Sequence, residues 1–177
     1  MMVVVTTNNY DTTTHLYWFR KVERHPDRRA QSLAEAFCET VSSWLSMRPP
    51  AVFWFEEADS REASQAWLRN PSRCDQSADP LREPCEYFRW RGRPALAFFG
   101  YTHRESVLGI MINICRSGAD LLDTIAEECF HLYQDVLHGA EWRATANPAT
   151  IEAEAREFVC SRASDIRGFF AGWETSR

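Results

Sequence analysis

Apolar residues recur along the chain at two spacings, and the spacing separates candidate helices from candidate strands. Over residues 26–45 they stand three and four apart, which predicts an amphipathic helix that begins at Pro26. The run AVFWFEE at 51–57 is rich in aromatic and β-branched residues and predicts a short buried strand. The segment 60–70 then predicts a short helix with Ser60 as its N-cap.

The middle of the chain combines turn signals with short strand-like runs. Residues 71–84 hold three prolines among Ser, Asp and Arg, which indicates a loop. The runs 85–91 and 94–101 flank Gly92, and we expect them to pair as a hairpin. A further strand is predicted at 106–115.

Two helices are predicted for the last third of the chain. The first runs from about 119 to 138 and ends at Gly139, and the second runs from about 148 to 170. Taken with the earlier elements, this order indicates an α+β fold in which helices cover a small sheet. A chain of 177 residues can bury a substantial core, and we expect one domain that spans residues 1–177.

The composition of the chain limits the classes of molecule that we expect it to bind. Hydrophobic residues make up 45 % and charged residues 25 % of the chain, a balance typical of globular proteins. The net charge of −5 argues against a general nucleic-acid binder, which needs a basic surface. No apolar run approaches the ~20 residues of a membrane span, and the N-terminal MMVVVTTNN lacks the basic start and cleavage site of a signal peptide. We therefore expect a cytoplasmic protein with neither a nucleic acid nor a membrane as partner.

The six cysteines are scattered along the chain without a C-x-x-C pair. Cys74 and Cys85 lie in the loop-like region, and nothing beside these two suggests an activated thiolate. Four lie among apolar neighbours, where a reduced cysteine behaves as a small core residue. These four are Cys38, Cys115, Cys129 and Cys160.

The segment DTIAEECFHLYQD, residues 123–135, carries the candidate chemistry. Glu127 and His131 stand four apart, so a helix places both side chains on one face, where they can reach the same ion. Glu128 follows directly and can lean towards an open coordination position as a proton acceptor. A catalytic zinc site needs a third protein ligand. The last predicted helix offers three candidates, which are Glu152, Glu154 and Glu157.

The run LLDTIAEECFHLYQD, followed by IEAEAREF, resembles the active-site helix and the glutamate helix of the zincin metallopeptidases, in particular the gluzincin type. The resemblance implies a zincin-like minimal domain with a small mixed sheet. It also implies three metal ligands, which are Glu127, His131 and Glu152. Glu152 is favoured over its rival Glu154 because it precedes Ala155 by three, as in the family's Glu-x-x-Ala pattern.

The same resemblance implies a reaction and a way of binding substrate. Glu128 would act as the general base on a metal-bound water while an amide or peptide bond is hydrolysed, and the substrate would be a peptide or a small molecule. Residues 100–114, GYTHRESVLGIMINI, resemble the family's sheet, in which an edge strand precedes the active-site helix and aligns an extended substrate.

One position departs from the family's pattern, because the family's first ligand is His and this chain has Glu127. Glutamate can ligate zinc, but a second carboxylate lowers the net positive charge of the site and makes bound water less acidic. Zinc is the expected ion, with Fe²⁺ and Mn²⁺ as alternatives that prefer oxygen donors. The departure leaves two other functions open: a non-catalytic binding or regulatory module, and a metalloenzyme with iron-dependent chemistry.

Two further interpretations of the same helix stay open. Glu128-x-x-His131 matches the Glu-x-x-His unit of helical di-iron carboxylate proteins, although the chain has no second such unit. The same residues would also suit the ordinary polar face of an amphipathic helix. His103 precedes the strand at 106–115 and is either a solvent-facing turn residue or a group that overhangs the site. The sequence does not indicate an oligomeric state.

Overall fold

The computed structural model describes residues 16–70, 74–75, 86–91, 97–101, 105–112 and 118–175. Within these ranges strands and helices follow one another in mixed order, which confirms the predicted α+β class. The strands are β1 (Leu16–Val22), β2 (Ala51–Glu57), β3 (Cys74–Asp75), β4 (Tyr87–Arg91), β5 (Ala97–Tyr101) and β6 (Ser106–Met111). The helices are α1 (Arg28–Trp44), α2 (Ser60–Arg69), α3 (Gly118–His138), α4 (Ala140–Thr145), α5 (Pro148–Ser161) and α6 (Ala163–Thr175). None of these helices combines the length and apolar character needed to cross a bilayer.

The strands form one mixed sheet in the order β3-β4-β1-β2-β6-β5. β1 pairs antiparallel with β2 and β4, β2 pairs parallel with β6, and β6 pairs antiparallel with β5. β6 lies inside the sheet, and five of its six residues are buried. A strand that is covered on both faces needs a continuous apolar run, which is why 106–111 is not alternating.

The predicted hairpin between 85–91 and 94–101 is wrong. β4 and β5 lie in these segments and are separated in the sheet by β1, β2 and β6. β4 pairs with β1, and β5 pairs with β6. The prediction failed because a turn signal such as Gly92 is local, whereas strand partners are chosen by the burial of whole sheet faces. It also lacked β1, a strand that the sequence pattern did not reveal.

One face of the sheet is covered by α1 and α3, which also pack against each other. Apolar side chains of both helices contact those of β2, β5 and β6 in a single core cluster. Its fully buried members include Phe37 of α1, Trp54 of β2 and Phe99 of β5. A smaller cluster joins α2 to β4 through Ala63 and Tyr87. The larger core anchors α3 along its length, so side chains on the neighbouring faces of α3 have fixed positions.

Two helix starts differ slightly from the prediction. α2 begins at Ser60, but its N-cap is Asp59 and not Ser60. The Asp59 carboxylate accepts two backbone N–H groups of the first turn at 2.8 and 3.0 Å, and these bonds satisfy donors that the helix itself cannot pair. α1 begins at Arg28 behind the cap Asp27, two residues after the predicted start.

The C-terminal helices are divided differently from the prediction. α3 and its end at Gly139 are confirmed, and Gly139 takes a φ of 82° that favours glycine. The short helix α4 follows at once and was not predicted. The single helix predicted at 148–170 is two helices, because the chain turns at Arg162, whose N–H bonds to the carbonyls of Phe158 and Val159.

The predicted core cysteines differ in burial. Cys38 and Cys129 are buried, as predicted, whereas Cys160 is exposed. The buried positions of α5 are Ile151 and Ala155, and Cys160 lies on another side of that helix. Cys115 lies outside the described residues.

Candidate metal centre

α3 brings Glu127 and His131 to one face, as their spacing predicts. Side chains four residues apart lie one above the other on a helix. The inner side of α3 packs into the core through Ile125, Ala126 and Cys129, which fixes the rotation of the helix about its axis. His131 is completely buried, and Glu127 is half-buried.

α5 supplies a second acidic side chain to the same place. Asn147 caps this helix through its side-chain oxygen, which accepts the N–H of Ala149 at 2.9 Å. Ile151 is buried, and α5 packs against α3. The cap and the packing together hold Glu152 beside His131.

The three side chains form a compact group of metal-ligand atoms. One donor atom from each of Glu127, His131 and Glu152 lies within 4.8 Å of the other two. His131 Nε2 and Glu152 Oε1 are 3.7 Å apart. Two ligands of one tetrahedral ion, each at about 2.1 Å from it, are roughly 3.4 Å apart, so a small adjustment would fit an ion between them. The group can therefore hold a metal ion.

Burial keeps the imidazole of His131 neutral. Loss of contact with water lowers its pKa from 6.5 to about 4; the hydrogen bond with Gln134 opposes this shift, and the positive charge of Arg143 adds to it. The contact between His131 and Glu152 is therefore not an ion pair at neutral pH. A neutral imidazole is also the form of histidine that binds metal ions.

The Nε2 atom of His131 provides a test of whether a cation fits. It is buried and has no hydrogen-bond partner within the described ranges. A buried polar atom left in this state costs about 1–3 kcal/mol. The other ring nitrogen, Nδ1, lies 2.9 Å from Gln134 Oε1. A cation placed between Nε2 and the two carboxylates would satisfy all three groups, so the residues present fit a metal ion.

Burial raises the pKa of both carboxyl groups. For Glu127 burial is the largest cause; Arg156 opposes the shift and Asp123 adds to it. For Glu152 burial is again the largest cause, followed by the charge of Glu127, while Arg156 and Arg143 oppose. The two acids thus repel each other across the site. A divalent cation would reverse this balance because it attracts both of them.

A buried ion pair joins α3 to α4 next to the site. Arg143 Nε donates to Asp135 Oδ1, and Arg143 Nη2 donates to the backbone carbonyl of His131 at 2.6 Å. The guanidinium carbon also lies 4.5 Å from the ring centroid of Phe99. Phe99 stacks on the imidazole of His131 with 6.3 Å between centroids. His131 is thus held at its backbone by α4 and at its ring by β5.

The other three glutamates singled out from the sequence differ in burial and contacts. Glu128 is 4 % exposed and is not one of the three grouped donors. Glu154, the rival third ligand, instead accepts a hydrogen bond from Gln134 Nε2 at 2.8 Å. Glu157 is exposed. His103 lies outside the described residues.

Sequence reasoning did not find three residues that support the site, which are Gln134, Arg143 and Phe99. Gln134 could have been found, because it stands three residues after His131 and therefore near it on the surface of the helix. Arg143 and Phe99 belong to α4 and β5. No local pattern linked either of them to α3, so only the folded arrangement reveals them.

The strand that precedes α3 is not at the edge of the sheet. β6 lies between β2 and β5, and β5 is the edge strand on this side of the described sheet. The strand at 106–111 is therefore not the edge strand that the resemblance implies, because the chain forms the outer strand β5 first and returns inside it as β6. β5 packs against α3 and places Phe99 beside His131.

Comparison of the chain with known proteins gives no match. No protein-family model, no curated protein and no solved structure matches it. The functional interpretation therefore depends on the geometry and chemistry of the described residues.

Proposed function

We propose that this protein is a metal-dependent hydrolase of amide or peptide bonds, with Glu127, His131 and Glu152 as the ligands of one divalent ion. The proposal depends above all on His131 Nε2, which is buried 3.7 Å from Glu152 Oε1 and lacks a hydrogen-bond partner over the described part of the chain. Such a nitrogen beside two acids is unfavourable alone and favourable around a cation. An ordinary polar helix face would keep these groups in water.

Zinc is the ion that we propose for this site. Imidazole and carboxylate are both zinc ligands, at about 2.0–2.2 Å. The second carboxylate also suits Mn²⁺ and Fe²⁺, which prefer oxygen donors. When bound, such an ion polarises a carbonyl group and promotes the ionisation of water.

Glu128 is the proposed general base. It directly follows Glu127 on α3 and is 4 % exposed, so little bulk water competes for its carboxylate. In the proposed reaction this carboxylate takes a proton from the attacking water as the water oxygen adds to the carbonyl carbon. The proton then passes to the leaving nitrogen while the C–N bond breaks. Positioned proton transfer of this kind contributes about 10²–10⁴-fold to a rate.

A non-catalytic binding module is the second candidate function, and Glu127 is the observation that favours it. A second carboxylate in the ligand set neutralises more of the ion's charge than an imidazole does. Lewis-acid catalysis is then weaker, while binding of the ion remains. Iron-dependent oxidation is less well supported, because its usual ligand set has two histidines and one carboxylate, the reverse of the ratio found here.

The variant Glu128→Gln tests the reaction separately from metal binding. Zinc-loaded protein is assayed on a mixture of internally quenched peptides, and its zinc content is measured in parallel. We expect Glu128→Gln to retain zinc and to lose turnover by about 10²-fold or more, because an amide keeps the shape of the side chain but cannot accept the proton. Glu157→Gln makes the same change at an exposed position of α5 and should alter neither quantity.

A companion variant, Glu127→His, adds a second imidazole to the ligand set. We expect it to hydrolyse the same peptides faster than the parent protein does. Full activity in Glu128→Gln would contradict the assignment of the base. Zinc binding without turnover, in both the parent protein and Glu127→His, would favour the binding module.

A further inference from the structure

Two hydrogen bonds from Gln134 determine how its side-chain amide is oriented. Gln134 Nε2 donates to the backbone carbonyl of Ile151 at 3.3 Å and to Glu154 Oε2 at 2.8 Å. Both partners are oxygen acceptors on α5, and the oxygen of an amide cannot donate to them. A flipped amide would place its oxygen against two other oxygens. The NH₂ group must therefore face α5.

The orientation of this amide fixes the tautomer of His131. With its NH₂ group towards α5, Gln134 presents Oε1 to His131 Nδ1 at 2.9 Å. An amide oxygen at this distance requires a donor, so Nδ1 carries the hydrogen of the neutral ring. Nε2 then carries a lone pair, and Nε2 is the atom that lies 3.7 Å from Glu152 Oε1.

We propose that Gln134, oriented by Glu154, is a positioning residue that holds His131 in the Nδ1–H tautomer and presents Nε2 to the metal-ligand group. Gln134 is 1 % exposed, whereas Glu154 is exposed, so this relay links the buried imidazole to the surface of α5. Glu154 thereby has a role other than that of a ligand. The position of the hydrogen in the neutral ring follows from hydrogen-bond geometry, whereas the effect on metal affinity rests on the proposed function.

The tautomer can be observed in metal-free protein labelled with ¹⁵N-histidine. Long-range ¹H–¹⁵N correlation spectra distinguish a protonated ring nitrogen from an unprotonated one, and a His131→Asn variant assigns the signals. At neutral pH we expect a protonated Nδ1 and an unprotonated Nε2 in the parent chain. Gln134→Met keeps the length of the side chain but removes the acceptor, so we expect it to show a mixture of tautomers.

Competition with a chromophoric zinc chelator measures the effect on affinity. Loss of the partner of a ligating histidine typically weakens metal binding about 10- to 100-fold, and we expect this loss in Gln134→Met. Gln134 is buried, so its replacement also changes the packing of the core. Glu154→Ala changes an exposed side chain and therefore provides a second test that leaves the core intact. It removes one of the two anchors of the amide and should give a smaller loss of affinity and a partial mixture of tautomers. Glu157→Ala is the matched control on α5 and should resemble the parent.

A parent chain with its proton on Nε2 would overturn the proposal. A folded Gln134→Met that keeps both the Nδ1–H tautomer and the zinc affinity of the parent would also overturn it. If Gln134→Met does not fold, the same result in Glu154→Ala would overturn it. A parent chain that binds no zinc would contradict the proposed function instead. In that case the spectra of the metal-free protein still decide the tautomer and the positioning role of Gln134.

Discussion

Burial disfavours the charged forms of His131, Glu127 and Glu152, and a bound cation would stabilise the ionised carboxylates. The lowering of the His131 pKa from 6.5 to about 4 corresponds to about 3 kcal/mol against its charged form. Both acids have raised pKa values, chiefly because of burial. Such groups are typical of functional sites. At neutral pH His131 is uncharged, so it is the two ionised carboxylates that destabilise the metal-free protein locally, and a bound ion would remove this destabilisation.

The variant Glu127→Gln should stabilise the metal-free protein and destabilise the zinc-loaded one. Because the pKa of Glu127 is raised above 4.5 by burial, its ionised form destabilises the folded state at pH values above that raised pKa. The destabilisation fades as the pH falls through the raised pKa, and it is absent below 4.5. With chelator at neutral pH we expect a higher Tm than that of the parent, and no difference in strong acid.

Calorimetry in chelator and in excess zinc measures both effects. In zinc the order should reverse, because the variant lacks a ligand and gains less from the ion by mass action. Glu157→Gln is the control, since it makes the same change at an exposed position. A metal-free Glu127→Gln that melts below the parent at neutral pH would contradict this description of the site.

A buried ion pair contributes to the contact between α3 and α4, and its disruption should be costly. Arg143 pairs with Asp135 and also donates to the carbonyl of His131. Removal of one partner leaves a buried charge without compensation, a change that costs about 3–5 kcal/mol. We expect Arg143→Met to lower the free energy of unfolding by this amount, as measured by urea denaturation.

The double variant Asp135→Leu/Arg143→Met separates the lost pair from lost packing. Replacement of both charges by apolar groups avoids the unpaired carboxylate, so the double variant should recover most of the stability lost in Arg143→Met. If the single variant loses less than about 1 kcal/mol, the pair does not hold α4 in place.

The elements that the sequence predicts well are those with a local signal. α3 has apolar residues at helical spacing and Gly139 at its end, and the structure confirms both. Strand pairing has no such signal, because the partner of a strand can lie anywhere in the chain. The hairpin predicted around Gly92 failed for this reason, since β4 pairs with β1, which lies far away in the sequence, and β5 pairs with β6, the strand that follows it in the chain.

The candidate site likewise combines two residues that local spacing brings together with one residue that tertiary packing adds. Glu127 and His131 belong to one helix, so their spacing alone places them together. Glu152 comes from α5, and in the sequence only a resemblance to a family pattern, Glu-x-x-Ala, favoured it over Glu154; helix geometry did not. Packing of α5 on α3 makes that distinction, since it turns Glu152 to His131 and Glu154 to Gln134.

The candidate site lies between α3 and α5, beside the main core of the molecule. α3 contacts the core on one side and α5 on the other, while β5 and α4 approach the same histidine from further directions. Four elements therefore position His131. A group held from so many sides is pre-organised for ligand binding, because little side-chain freedom remains to be lost.

Elemental analysis of zinc-loaded, desalted protein decides whether the three side chains hold one ion. We expect about one zinc per chain in the parent, as for a single four-coordinate site. Glu127→Gln, His131→Ala and Glu152→Gln should each lose most of it, whereas Glu157→Gln should retain it. A parent protein without bound metal at any loading, or equal zinc in all variants, would contradict the assignment.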